Sequence, residues 1–241
     1  EDSFDIELFT APTRQAFQVN LLASPCNTNS LLLQALRFTN RFNLPEGESG
    51  LPDDVVRKLL QDSRPRELEM LNYTFSIDNI SLACLTHISR HRIQSPLIPN
   101  VLTALKRGGH ILPPSISENE TATTIYETLY DEQFSTVHEM SNIDGPDTVY
   151  PYFALSGNTI NIWMSMNARE LLHFSQLRTC RRAQWEIQGV AKQMLHLLCR
   201  ESIELFGIYG PSCAITGRCP EGKMSCGKPV IVKNGEWMDR T

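Results

Sequence analysis

An alternating apolar run, Ile160 to Met166 (INIWMSM), passes without a break into NARELLHFSQLR. The alternation predicts a strand, and the second string predicts a helix joined directly to it. Asn167 is a good N-cap, and Glu170 stands three residues on, the spacing of a capping box. Leu171, Phe174 and Leu177 recur at helical spacing. Arg169 and His173 are four apart and share one face. Arg178 ends this helix, and Thr179 is placed to cap a second, longer one. The apolar positions Ile187, Val190, Ala191, Met194, Leu198 and Leu205 carry that second helix to Gly207, with Gly210-Pro211 as its stop. The polar set Asn167, Arg169, His173 and Arg178 has two readings: caps and solvated arginines, or the lining of a site.

At 241 residues the chain can bury one core of good size. With 41% hydrophobic and 20% charged residues it reads as a soluble globular protein, expected as a single domain over 1–241 with a distinct tail from about 207. The net charge of −5 argues against a general nucleic-acid surface. No apolar run reaches the roughly 20 residues that span a bilayer, and no signal-peptide pattern is seen. Seven scattered cysteines, an odd number, suit a reducing cytoplasm better than secretion.

Upstream, Asp5–Thr10 reads as a strand and Arg14–Leu22 as a short helix. Ser30–Phe38 and Val55–Gln61 read as helices, with a loop over Asn43–Asp54. Leu71–Ile80 (LNYTFSIDNI) is a strand by its aromatic and β-branched alternation, and Ser81–Ser89 is a helix leading into Arg90-His91-Arg92. Four prolines and Gly108-Gly109 prevent Ser95–Ser115 from being one regular element. Glu118–Met140 is a polar helix, a Gly-Pro turn falls within Asn142–Thr148, and Tyr150–Ala154 begins a further helix.

Arg90, His91 and Arg92 put two fixed positive charges around one imidazole. That is a place for an anion or an electron-rich ring, or a solvated basic turn. The apolar, proline-stiffened stretch after it favours a pocket. Cys180, next to Thr179, reads as a small buried hydrophobe rather than a nucleophile.

The string MNARELLHFSQLRTCRRAQWEIQ resembles the C-terminal motif of the flavin-dependent thymidylate synthases, the ThyX family. Arg90-His91-Arg92-Ile93-Gln94-Ser95 is similar to the first half of that family's RHRxxSxNExSxRY signature. The resemblance implies an α+β fold, a central and mostly antiparallel sheet wrapped by long helices, assembled as a homotetramer with shared active sites. It implies FAD held by Arg90, His91, Arg92, Asn167, Arg169 and His173, with Arg178 gripping the uracil ring as the catalytic residue. It also implies NADPH as reductant, 5,10-methylenetetrahydrofolate as carbon donor and no cysteine nucleophile; no residue is assigned as a metal ligand.

The second half of the signature departs from the family. Leu97-Ile98 replaces Asn-Glu, Asn100 replaces Ser, and Leu102-Thr103 replaces Arg-Tyr; in the family this half binds the nucleotide's phosphate and sugar. Thr86 and His87 stand where the family offers an arginine or glutamine, and an arginine expected near Tyr150–Tyr152 is missing. A phosphate still needs cations or backbone donors. His87 and Ser95 are the substrate-side candidates, with Lys106, Arg107 and His110 beside the Gly-Gly pair as further substitutes. The expected activity is C5 methylation of a uracil nucleotide, UMP and/or dUMP. The alternatives are a dUMP-specific thymidylate synthase and an inactive flavin- or nucleotide-binding relative. Cys213, Cys219 and Cys226 lack the tight CxxC pairs of common zinc sites, a weak metal signal.

Overall fold

The computed structural model describes residues 13–44, 47, 50–141, 147–233 and 236–239. In chain order the strands are β1 (Thr13–Arg14), β2 (Gln18–Ala23), β3 (Asn72–Ser81), β4 (Ser95–Leu97), β5 (Gly109–His110), β6 (Thr159–Asn167), β7 (Val230–Lys233) and β8 (Glu236–Asp239). The helices are α1 (Thr28–Thr39), α2 (Asp53–Gln61), α3 (Leu82–Ile88), α4 (Val101–Arg107), α5 (Pro114–Ser117), α6 (Glu120–Ser141), α7 (Ala168–Arg178), α8 (Trp185–Glu201), α9 (Ile203–Phe206) and α10 (Ser212–Thr216). The fold is α+β. A four-stranded, antiparallel sheet has the order β2-β3-β6-β4, and two small sheets pair β1 with β5 and β7 with β8.

The chain divides into two compact units. One comprises residues 1–18, 77–90 and 97–162; the other comprises 19–76, 91–96 and 163–241. In the first unit, Leu105, Val137 and Tyr150 form a small core. His110 is buried there, stacked on Tyr130 at 4.3 Å, with Nε2 against Glu127 Oε2 at 2.5 Å. Asn158 accepts from Gln133 Nε2 at 2.7 Å and from Leu155 N at 2.7 Å.

The second unit holds the larger buried aromatic set. Tyr73 and Phe75 lie on β3, both fully buried. Phe206 meets the Tyr73 ring edge-on at 5.3 Å, and Tyr209 packs on Phe206 at 4.9 Å. From α8, Ile187, Val190, Ala191, Met194 and Leu198 are buried, the positions expected from their spacing. Thr28 Oγ1 and Tyr73 Oη share a hydrogen bond of 2.9 Å, so the one polar atom on the Tyr73 ring is satisfied.

Several expectations change. Arg14–Leu22 is not a helix: Gln18–Ala23 is a strand, paired with β3. Its apolar residues gain more from a sheet edge than from an isolated short helix. Thr179 does not start the second long helix. It caps the end of α7, donating its hydroxyl to Ser175 O at 2.6 Å, while Gln184 caps α8 by accepting from Glu186 N and Ile187 N. That helix also stops earlier than expected, at Ser202, which caps α9 instead. Tyr150–Ala154 does not begin a further helix: Tyr150–Phe153 belong to a 3-10 turn over Asp147–Phe153, and Ala154 lies just past it. The strand expected over Asp5–Thr10 lies outside the described residues. No described helix is long and apolar enough to cross a membrane.

Burial pushes the Tyr73 phenol up to about 12. The unfolded chain releases this proton near pH 10, so its contribution to stability is full below that point and is lost as pH rises toward 12. Tyr73→Phe is expected to cost about 1–2 kcal/mol at neutral pH, because Thr28 Oγ1 loses its buried partner. It should also flatten the alkaline decline, which urea unfolding on either side of about pH 10 will measure.

Candidate active site

Three short elements of the second unit meet at the start of α7. Ala168 N donates to Leu71 O at 2.8 Å, and the buried Tyr209 hydroxyl donates to Ala168 O at 3.1 Å. These bonds tie the strand-to-helix corner to the chain before β3 and to the segment after α9. Asn167 Oδ1 accepts from Glu170 N at 2.9 Å, the cap read from the sequence. The reciprocal half of the capping box is replaced: the Glu170 carboxylate accepts from His91 Nδ1 at 3.0 Å.

His91 is 5% exposed and Glu170 6%. A buried carboxylate needs donors and favours a helix N-terminus; Glu170 lies in the first turn of α7 and has the imidazole. On the other side of the ring, Arg178 Nε donates to His91 Nε2 at 3.0 Å. Because Nε2 accepts, the ring is the Nδ1–H tautomer, and Nδ1 is the donor toward Glu170. The ring also packs on Phe174 at 4.8 Å and meets His173 at 5.8 Å. Both nitrogens of the histidine expected to hold a flavin are therefore engaged within the chain.

Asn167, Arg169 and His173 line a hollow of about 540 Å3, with Glu69, Ile93 and Gln176 among its other walls. Arg169 and His173 share a face as expected, and Arg169 is held by an ion pair to Glu69. Arg178 lines a second hollow of about 230 Å3 with Arg182, Cys180, Cys213 and Cys219; Gln176 is common to both. Leu177 is exposed rather than part of the buried stripe, which runs through Ala168, Leu171, Leu172, Phe174 and Ser175. Arg90, Arg92 and Ser95 are exposed, and His87 is half-buried in the last turn of α3.

The proposed phosphate substitutes fare differently. His110 is buried against a carboxylate, which makes it a poor anion receptor. Arg107 donates to Asn79 Oδ1 at 2.9 Å. Gly108 is the left-handed C-cap of α4, its amide bonded to Leu105 O, and Gly109 pairs in β5, so the Gly-Gly pair serves the backbone. Asn100 caps α4, accepting from Leu102 N at 3.1 Å. The stretch that departs from the family signature has become a capped helix.

Cys180 is half-buried. Burial, then the neighbouring thiols Cys226, Cys213 and Cys219, push its own thiol up, although the Arg182 backbone pulls it down. A thiol raised in this way is a weak nucleophile at neutral pH. Among the described residues, no three histidine, cysteine, aspartate or glutamate side chains are grouped closely enough to hold a metal ion. What sequence reasoning missed is Glu170 as more than a capping residue. Its partner lies 79 positions away, and only the signature's histidine hinted at it.

The family described as "Thymidylate synthase complementing protein" matches residues 20–202. A flavin-dependent thymidylate synthase from Geobacter sulfurreducens is 34% identical over 73% of this chain and 77% of its own. One from Sulfolobus acidocaldarius is 31% identical over 78% and 82%. Among solved structures, the fold is similar to the UMP/dUMP methylase PolB from Streptomyces cacaoi bound with 5-Br UMP, with a TM-score of 0.69, 17% identity, and 81% of this chain and 95% of that one covered. It is also similar to ThyX from Helicobacter pylori with FAD and dUMP, at TM-score 0.60, 20% identity, and 79% and 97% coverage. The two motifs, the α+β fold and these matches together make the chain a divergent member of the flavin-dependent thymidylate synthase family.

Proposed function

We propose that this protein is an FAD-dependent methyltransferase acting at C5 of a uracil nucleotide, UMP and/or dUMP. The carbon comes from 5,10-methylenetetrahydrofolate and the reducing equivalents from NADPH. The observation that carries this reading is Arg178, a guanidinium tethered through a buried imidazole at the end of α7, in a chain of this family.

C5 of uracil is a poor nucleophile until electron density is pushed toward it. A guanidinium at a ring carbonyl stabilises the enolate-like charge that develops as C5 attacks, which is transition-state stabilisation by a fixed donor. The residues around the larger hollow fit a flavin. Asn167, the cap of α7, offers an amide, and from the helix itself Arg169 offers a guanidinium held by Glu69 and His173 an exposed imidazole. Arg90 and Arg92, exposed on either side of His91 in sequence, are kept as flavin-side candidates on the resemblance alone. When bound, FAD supplies the hydride that completes the methyl group. The chain's own work is to bind and orient the two flat rings and to hold positive charge at the uracil.

The departures after Ser95 support tolerance of a ribose. Residues that in the family read phosphate and sugar here form an apolar strand end and a helix cap. The fold's similarity to a methylase that takes both nucleotides agrees with this. His87 and Ser95 remain the substrate-side groups. We place the working form as a cytoplasmic homotetramer with shared sites, as the resemblance implies, although the two motifs already meet within one chain through His91, Glu170 and Arg178.

Product analysis tests the reading: UMP and dUMP, each with FAD, NADPH and methylenetetrahydrofolate. A C5-methylated product from UMP is expected; product from dUMP alone would support the ordinary thymidylate synthase instead. Flavin binding without bleaching by NADPH or turnover would support the inactive relative. Arg178→Gln should lower kcat about 10²–10³-fold, the loss typical of one such donor, with flavin content unchanged. Cys180→Ser should leave the methylation rate unchanged, as measured by the same assay, because its thiol carries no step.

A further inference from the structure

Arg178 is held in an unusual way. Guanidinium groups usually meet carboxylates directly, in a bidentate fork. Here a carboxylate reaches the guanidinium through an imidazole. Glu170 accepts from His91 Nδ1 at 3.0 Å, and His91 Nε2 accepts from Arg178 Nε at 3.0 Å. All three side chains come from the second unit, two from opposite ends of α7 and one from the signature turn.

We infer that Glu170 and His91 are positioning residues: the carboxylate fixes the ring as the Nδ1–H tautomer, and the ring's lone pair fixes the plane of the Arg178 guanidinium. The inference rests on Arg178 being the uracil-side cation.

The geometry carries it in three steps. A neutral imidazole has one donor and one acceptor, and the bond at one nitrogen decides which the other becomes. A carboxylate can only accept, so Glu170 makes Nδ1 the donor and leaves Nε2 as an acceptor for Arg178. The bond reaches Arg178 at Nε, the inner nitrogen, so it sets the rotation of the planar group about its own stem. The two terminal nitrogens then form the edge that can meet a planar carbonyl. The imidazole bond at Nε gives Arg178 a fixed orientation from the inner side of its guanidinium. Phe174 packs on the His91 ring at 4.8 Å and helps hold its tilt.

The test uses the full-length holoprotein. Glu170→Gln and His91→Phe are expected to lower kcat about 10- to 100-fold, the range seen for outer partners that orient a functional group. The KM for the nucleotide and the flavin per subunit should stay at wild-type values. Arg178→Gln/His91→Phe should be no slower than Arg178→Gln alone, since the histidine acts through the arginine. Additive losses would overturn the inference, as would loss of flavin in His91→Phe. Where His91→Phe does not fold, the near-isosteric Glu170→Gln carries the same comparison with Arg178→Gln.

Solid-state 15N NMR of protein labelled at its histidine rings gives a readout independent of turnover, with the His91 signals assigned by their loss in His91→Phe or His91→Gln. A neutral Nδ1–H ring in the wild type is expected; an Nε2–H ring overturns the proposal. Should neither nucleotide be methylated by the wild type, the proposed reaction falls, and the tautomer still decides whether the chain of three exists.

Discussion

A carboxylate buried at the first turn of α7 governs the arrangement of the site. Glu170 is nearly inaccessible to water, and an ionised group there is tolerated only with donors close at hand. The backbone at the helix start supplies favourable potential, and the imidazole of His91 supplies a hydrogen bond. That bond draws the signature turn onto the helix. Once it is in place, the far nitrogen of the ring faces Arg178 at the other end of the same helix. One buried charge thus couples two motifs that are remote in sequence.

The corner beneath this charge is built to be stiff. β6 ends at the cap residue itself, so no loop separates strand from helix. The first helical residue is bonded on both sides, through its amide to Leu71 and through its carbonyl to Tyr209. Packing of Phe206 between Tyr73 and Tyr209 supports that anchor from the core. Groups set on such an element keep their geometry better than groups on a free loop.

The strand-helix corner was legible because local signals agreed there: alternation, a strong capping residue and an apolar stripe all pointed to one boundary. β3 was legible for the same reason, since its aromatic and β-branched residues alternate over ten positions. Gln18–Ala23 was not, because a short edge strand is decided by the partner it pairs with, and β3 lies some fifty residues further along. Thr179 misled because a hydroxyl beside a helix end can serve either helix, and the backbone of α7 claimed it first. Asn167, Arg169 and His173 were singled out through motif and spacing, and they do share one hollow. The role of Glu170 was invisible, since a residue that satisfies a capping pattern locally gives no sign of a distant partner.

Asn100 links folding to molecular recognition in a less obvious way. Its side chain secures the first turn of α4, at a position where the signature it resembles has a serine. Serine and asparagine cap a helix about equally well, so an exchange between them at this position leaves the start of α4 intact. A change of side chain here therefore need not disturb the backbone that carries it.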